Sequence, residues 1–100
     1  MNKPCYRDYV IFAMRSYARA VDRERCVNKI DKVNWGACQN ILKSYSERDQ
    51  EILLYVYGAF DTMADNVYAM STKHHINQNI IWDMMREFEL KLAIERGLWV

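Results

Sequence analysis

Two adjacent histidines and two pairs of carboxylates are the residues of this chain whose types could support metal or hydrolytic chemistry. Adjacent helical residues point about 100° apart, so the imidazoles of His74 and His75 do not converge on one ion. The carboxylates of each pair are four residues apart: Asp61 with Asp65, and Asp83 with Glu87. Helices commonly place such pairs on a solvated face, and no further ligand completes a metal site nearby. We therefore expect no structural metal and no catalytic residue.

Other chemical signatures agree with this expectation. The sequence contains no glycine-rich phosphate loop, nucleophile elbow or HExxH motif. Cys5, Cys26 and Cys38 form an odd set without paired spacing, which favours free thiols in a reducing compartment. No apolar run approaches the roughly 20 residues that cross a bilayer. These features predict a cytoplasmic, non-enzymatic protein with no cofactor, no small-molecule substrate and no membrane partner.

The composition favours helices over sheets. The chain has 100 residues, of which 51% are apolar, and it contains one proline and three glycines. This length suffices for one domain, and so few helix breakers favour long helices. We predict an all-α, single small domain of about five helices. Residues 1–45 form an N-terminal helical pair, and residues 46–100 contain the remaining helices.

Apolar spacing and capping residues set the expected helix boundaries. The first helix is predicted from Tyr6 to about Arg25, and the second from the N-cap Asn34 to about Ser44. The apolar stripe of the third helix consists of Ile52, Leu53, Val56 and Phe60. The remaining N-caps and the final stop are, in chain order, Ser46, Thr62, Asn77 and Gly97.

Basic residues are concentrated in the first half of the chain. Residues 1–50 carry ten cations against six acids, whereas residues 51–100 carry four cations against seven acids. Arginines recur every four residues along the first helix, at Arg15, Arg19 and Arg23. Like charges at this spacing repel each other weakly, and a solvated face explains them better than a binding strip.

A resemblance to a known family begins at residue 46. The segment Ser46–Leu53 (SERDQEIL) is followed by Val56–Gly58 (VYG), a short helix, a turn and a longer helix that ends near residues 91–98. This half resembles the C-terminal, promoter-reading domain (region four) of bacterial sigma factors, as found in small sigma-like proteins of phages and conjugative elements. The resemblance implies a helix-turn-helix in the C-terminal half and transcription regulation within a mobile element.

The apolar spacing around the turn fits a helix-turn-helix. In this motif one apolar residue lies at the end of the turn. Two more, five and eight positions later, pack the second helix against the rest of the domain. Ile76, Ile81 and Met84 have this spacing. The family usually has a glycine where this chain has His75, and an apolar residue where it has His74. Either the turn is longer here, or the two helices cross differently.

The resemblance places the start of the second helix in the major groove of DNA. Gln78 and Asn79 can then pair with adenine, and Arg86 can reach a phosphate. The same helix carries four acids, so further phosphate contacts must come from elsewhere. We expect double-stranded DNA as the partner, contacted by Gln78, Asn79, Arg86, Lys73, Arg15, Arg19 and Arg23.

The alternative is a non-enzymatic helical protein–protein interaction module that forms a homodimer through apolar residues outside the core stripes. Trp82 and Leu90 lie off the inward stripe of the last helix, and Leu98 and Trp99 add apolar surface. A covered patch of this kind favours a homo-oligomer, most often a two-fold dimer. The first-helix arginines separate the two hypotheses: a location beside Gln78 favours DNA, and a location opposite it favours the interaction module.

Overall fold

Five helices make up most of the chain in a computed structural model, which describes residues 6–20 and 29–97. The helices are α1 (Tyr6–Ala20), α2 (Lys29–Leu42), α3 (Glu47–Gly58), α4 (Met63–His74) and α5 (Gln78–Glu95). No strand is present in these two ranges. The chain is thus an all-α, single small domain, as its composition predicts.

Side-chain capping starts three of the helices where the sequence predicts. The side-chain oxygens of Ser46, Thr62 and Asn77 accept hydrogen bonds from backbone N–H groups in the first turns of α3, α4 and α5. The distances are 3.1 Å to Asp49, 3.1 Å to Asp65 and 2.7 Å to Asn79. Each bond satisfies an amide that the helix itself leaves without an acceptor. After α5, Gly97 has a φ of 71°, the left-handed conformation of a helix stop.

The predicted start of the second helix is wrong. α2 begins at Lys29, so Asn34 lies inside the helix and does not cap it. The Asn34 side chain is buried, its Nδ2 donates to the Tyr9 hydroxyl at 3.3 Å, and its Oδ1 accepts from Arg96 Nε at 2.7 Å. Asparagine favours caps because its amide satisfies local backbone groups, but partners from distant parts of the chain satisfy it here. Residues 21–25, the predicted end of the first helix, lie outside the described residues.

The core lies where the inner faces of the five helices meet. Its largest fully buried side chains are Tyr57, Phe88, Met14, Ile52, Leu53, Ile81, Met85 and Leu92. Cys38 of α2 is also buried and makes no disulfide, and burial raises the pKa of its thiol to about 12. This thiol therefore stays protonated and packs as a small apolar group. Cys5 and Cys26 lie outside the described residues.

Phe60, predicted to face the core from the third helix, is instead 82% exposed. α3 ends at Gly58, so the helical period no longer determines the direction of Phe60, and Tyr57 is buried in its place. The Phe60 ring lies 4.0 Å from the guanidinium of Arg19, a cation–π contact. A Cβ on Gly58 would lie 3.0 Å from the Cβ of Ala18. The glycine therefore permits the close approach of α1 and α3.

A buried carboxylate joins three helices. Glu89 of α5 is almost fully buried, and its Oε2 accepts a 2.6 Å hydrogen bond from the Tyr57 hydroxyl of α3. Its Oε1 accepts a 2.8 Å bond from Nε of Arg7 in α1, which completes an ion pair. Burial and the adjacent carboxylate raise the Tyr57 pKa, so this hydroxyl remains a donor. Because a buried charge without a partner is costly, the network ties the position of α1 to that of α5.

Replacing Arg7 with alanine should lower the free energy of unfolding by about 1–3 kcal/mol, because Glu89 loses its cation while it remains buried. The half-exposed Arg7 side chain keeps this loss below that of a fully buried pair. Urea unfolding followed by circular dichroism measures the change. The matched control is Arg48→Ala, which breaks a pair with the partly exposed Asp49 and should cost less than about 0.5 kcal/mol, because that carboxylate keeps its access to water. Equal losses in the two variants would contradict this role of the Glu89 network.

Candidate functional site

The connection between α4 and α5 contains a residue in the left-handed conformation. His75 directly follows α4 and has φ 56° and ψ 47°. Its backbone N–H and that of Ile76, at 3.1 Å, both donate to the carbonyl oxygen of Ser71. The Ser71 hydroxyl in turn donates to the Ile76 carbonyl at 2.5 Å. These bonds close the last turn of α4 and fix the direction in which the chain enters α5.

In the resemblance to sigma-like proteins, His75 falls where that family usually has glycine. Its backbone adopts the conformation that glycine takes without steric cost, and its side chain is exposed. The difference between histidine and glycine therefore affects only the side chain at this position, and the turn between α4 and α5 is not lengthened. The preceding His74 is half-buried, and its Nε2 lies 3.5 Å from the Glu51 carboxylate of α3. The resemblance would place an apolar side chain here, whereas His74 places a buried imidazole nitrogen near a carboxylate.

Three apolar side chains attach the start of α5 to the core. Ile81 is fully buried, and Ile76 and Met84 are half-buried against the core. These three residues have the helix-turn-helix spacing of five and eight positions after Ile76. Gln78 and Asn79 lie between these anchors, in the first turn of α5, and both side chains are exposed. Neither side chain forms a hydrogen bond to the described part of the chain, so both present their amide groups outward.

Two of the predicted cationic residues lie on the helices that flank this turn, Lys73 within one turn of it and Arg86 about two turns into α5. Lys73, in the last turn of α4, pairs with Glu51, and Arg86 of α5 pairs with Asp83. The hydrogen bond from Lys73 lowers the pKa of Glu51. All four side chains are exposed, and exposed ion pairs contribute little stability. A phosphate can therefore replace either carboxylate at small cost.

Arg19 of α1 contacts a different part of α3 from Lys73. Arg19 Nε donates to the Gly58 carbonyl at 3.0 Å, at the C-terminal end of α3. Lys73 contacts Glu51, near the N-terminal end of the same helix. Seven helical residues separate the two contacts, or about 10 Å along the axis. Arg15 is half-buried on α1, and Arg23 lies outside the described residues.

Fewer acidic side chains are exposed on α5 than its sequence contains. Of its four acidic residues, Glu89 is buried and paired with Arg7, which leaves Asp83, Glu87 and Glu95 exposed beside two exposed cations. From the sequence, Glu89 is expected at the surface, since acidic side chains are almost never fully buried unless they are paired. The only local signal was its position next to Phe88 on the inward side of the helix.

The residues predicted to form an interaction surface differ in how exposed they are in the structure. Trp82 is half-buried and packs against the core, so only part of its side chain is available to an interface. Leu90 is exposed as predicted, whereas Leu98 and Trp99 lie outside the described residues. Ile94, 56% exposed, was missed, although its position four residues beyond Leu90 places it on the same face of α5.

Within residues 6–20 and 29–97, no group of three or more histidine, cysteine or acidic side chains could hold a metal ion. No helix among them is long and apolar enough to traverse a bilayer. Comparison of the chain with protein-family models, curated proteins and solved structures gives no match. The features that indicate a function are therefore the geometry of the α4–α5 segment and the resemblance carried by residues 46–98.

Replacing His75 with glycine should raise the free energy of unfolding by about 0.5–1 kcal/mol. The left-handed conformation costs a residue with a Cβ about 1–2 kcal/mol, and the greater chain entropy of glycine cancels part of the gain. The matched control is His75→Ala, which removes the imidazole but keeps the Cβ and should not stabilise the fold. Equal gains in thermal or urea unfolding would attribute the effect to the imidazole and contradict the backbone explanation.

Proposed function

We propose that this chain is a sigma-like helix-turn-helix DNA-binding protein that regulates transcription, with α5 as its reading helix. The observation that carries the proposal is the left-handed His75 between α4 and a capped α5 whose first turn exposes Gln78 and Asn79. In this motif the N-terminal residues of the second helix contact base edges in the major groove. The resemblance of residues 46–98 to small sigma-like proteins adds the proposal that the chain acts within a mobile element.

The geometry that supports the proposal is the packing that holds Gln78 and Asn79 in a fixed position. Ile76 and Ile81 hold the two sides of the first turn against the core, so Gln78 and Asn79 enter a groove from a fixed position. Both side chains are amides, which pair bidentately with the N6 and N7 atoms of adenine. The proposed target therefore contains at least one adenine at the position that this turn reaches.

The phosphate contacts assigned to this function come from Lys73 and Arg86, which lie before and after the first turn of α5. Arg19 is left out because its guanidinium is bound at the other end of α3. Two neutralised phosphates give a slope of log affinity against log salt of about −2 per subunit. So shallow a salt dependence implies weak nonspecific binding to DNA. More of the discrimination between DNA sequences then comes from the amide side chains of Gln78 and Asn79.

Selection from random duplexes at low salt should enrich sequences that share one adenine-containing position. Gln78→Ala or Asn79→Ala should then reduce discrimination there by about 1–3 kcal/mol if the lost contact is bidentate. The matched control is Gln39→Ala, an exposed glutamine of α2, which should change neither affinity nor preference. The absence of any enriched sequence would contradict the proposal and favour the interaction module.

A salt titration of the selected duplex tests the phosphate assignment separately. Lys73→Ala should weaken binding to all sequences alike and make the slope shallower by about 1, because one counterion fewer is released. Arg19→Ala should leave the slope unchanged. Loss of affinity in the Arg19 variant comparable to that in the Lys73 variant would show that α1 lies on the DNA-binding surface.

A protein–protein interaction module is the second candidate function. The separation of Arg19 from the α4–α5 turn favours it, because that separation leaves the reading end without the basic strip of α1. Exposed aliphatic side chains on the outer face of α5, Leu90 and Ile94, also favour it. Under this function the Gln78 and Asn79 variants would behave like wild type in every DNA measurement.

A further inference from the structure

A recess lies between the C-terminal halves of α2 and α5. It has a volume of about 280 Å³ and is lined by Asn40, Ile41, Ser44, Lys91, Ile94 and Glu95. Ile94 both lines the recess and projects into solvent, and Leu90 is exposed one turn before it. We call these residues, with Leu90, the α2–α5 face. The exposed side chains of Leu90 and Ile94 therefore lie on the same surface as the recess.

Charges on the α2–α5 face have a specific order. Lys91 and Glu95 are four residues apart on one flank of α5, and Leu90 and Ile94 are four apart beside them. Lys91 Nζ lies 4.7 Å from the centre of the Tyr45 ring, and a Glu95 oxygen lies 3.5 Å from Asn40 Nδ2. Lys91 also pairs with the exposed Glu87 one turn earlier, at 3.8 Å. The flank therefore carries one cation between two acids, in the order Glu87, Lys91, Glu95.

This order is complementary to itself under a two-fold rotation. If two copies of α5 cross in antiparallel directions near residue 92, Leu90 of each copy meets Ile94 of the other. The same crossing brings Lys91 of each copy to Glu95 of the other, because antiparallel helices place the same flank of each chain together. A two-fold interface requires such a self-complementary patch, which a surface of a single charge sign does not provide.

We propose that the α2–α5 face binds a second copy of this chain, with the two α5 helices antiparallel. The assignment does not depend on DNA binding, because Gln78 lies 16 residues from Ile94, about 24 Å along α5. The face is narrow, so the expected dissociation constant is on the order of micromolar. Ile94, absent from the residues first expected to form the interface, is its central contact.

Sedimentation equilibrium of the full chain at several micromolar concentrations, without DNA, tests the proposal. Wild type should form dimers, and Ile94→Asp should raise the dissociation constant at least about tenfold. The matched control is Phe12→Asp, which alters a similarly exposed apolar residue of α1, 62% exposed, and should not change it. Circular dichroism of each variant confirms that the helices are retained. A mass of one chain at every concentration, or a dimer that tolerates Ile94→Asp, would overturn the proposal.

A charge exchange tests the antiparallel arrangement. Lys91→Glu and Glu95→Lys should each weaken the dimer, because each brings like charges together across the two-fold axis. The double variant restores opposite charges and should recover most of the wild-type affinity. Failure of the double variant to recover, with its helical content intact, would exclude this crossing. Loss of DNA selection with the dimer intact would instead contradict only the proposed function.

Discussion

The buried carboxylate of Glu89 constrains the whole structure. Removing a carboxylate from water costs several kcal/mol unless its oxygens find partners, and here one oxygen has Tyr57 and the other has Arg7. Arg7 belongs to α1, more than eighty residues earlier in the chain. The segment that resembles a sigma-factor domain therefore takes part of its stabilisation from the first helix, and the two portions of the chain fold as one unit.

Local signals predicted the helices well, because caps and apolar periods are encoded within a few residues. Ser46, Thr62 and Asn77 cap their helices through amides only two or three positions away. Asn34 misled the prediction because its partners come from α1 and from the residue after α5. Glu89 was missed for the same reason: its neutralising cation is distant in sequence. A single sequence gives no measure of such contacts.

The exposure of Gln78 and Asn79 was predictable, and the arrangement of charge around them was not. Gln78 and Asn79 follow a cap, so their exposure in the first turn of α5 is a local property. The position of Arg19 depends instead on how α1 crosses α3, which the small residues Ala18 and Gly58 determine. Trp82 lies at the margin of the apolar stripe, where packing rather than helical period decides burial.

The proposed dimer and the proposed DNA contact would be linked through the rigidity of α5. An antiparallel crossing near residue 92 places each Gln78 about 21 Å from the crossing point, so the two reading ends would be about 40 Å apart. Half-sites one helical turn apart on DNA are separated by about 34–36 Å, and an inclined crossing shortens the 40 Å towards that value. Because the Glu89 network fixes α5 within each subunit, the half-site spacing would be set by the crossing angle of two continuous helices rather than by a flexible linker.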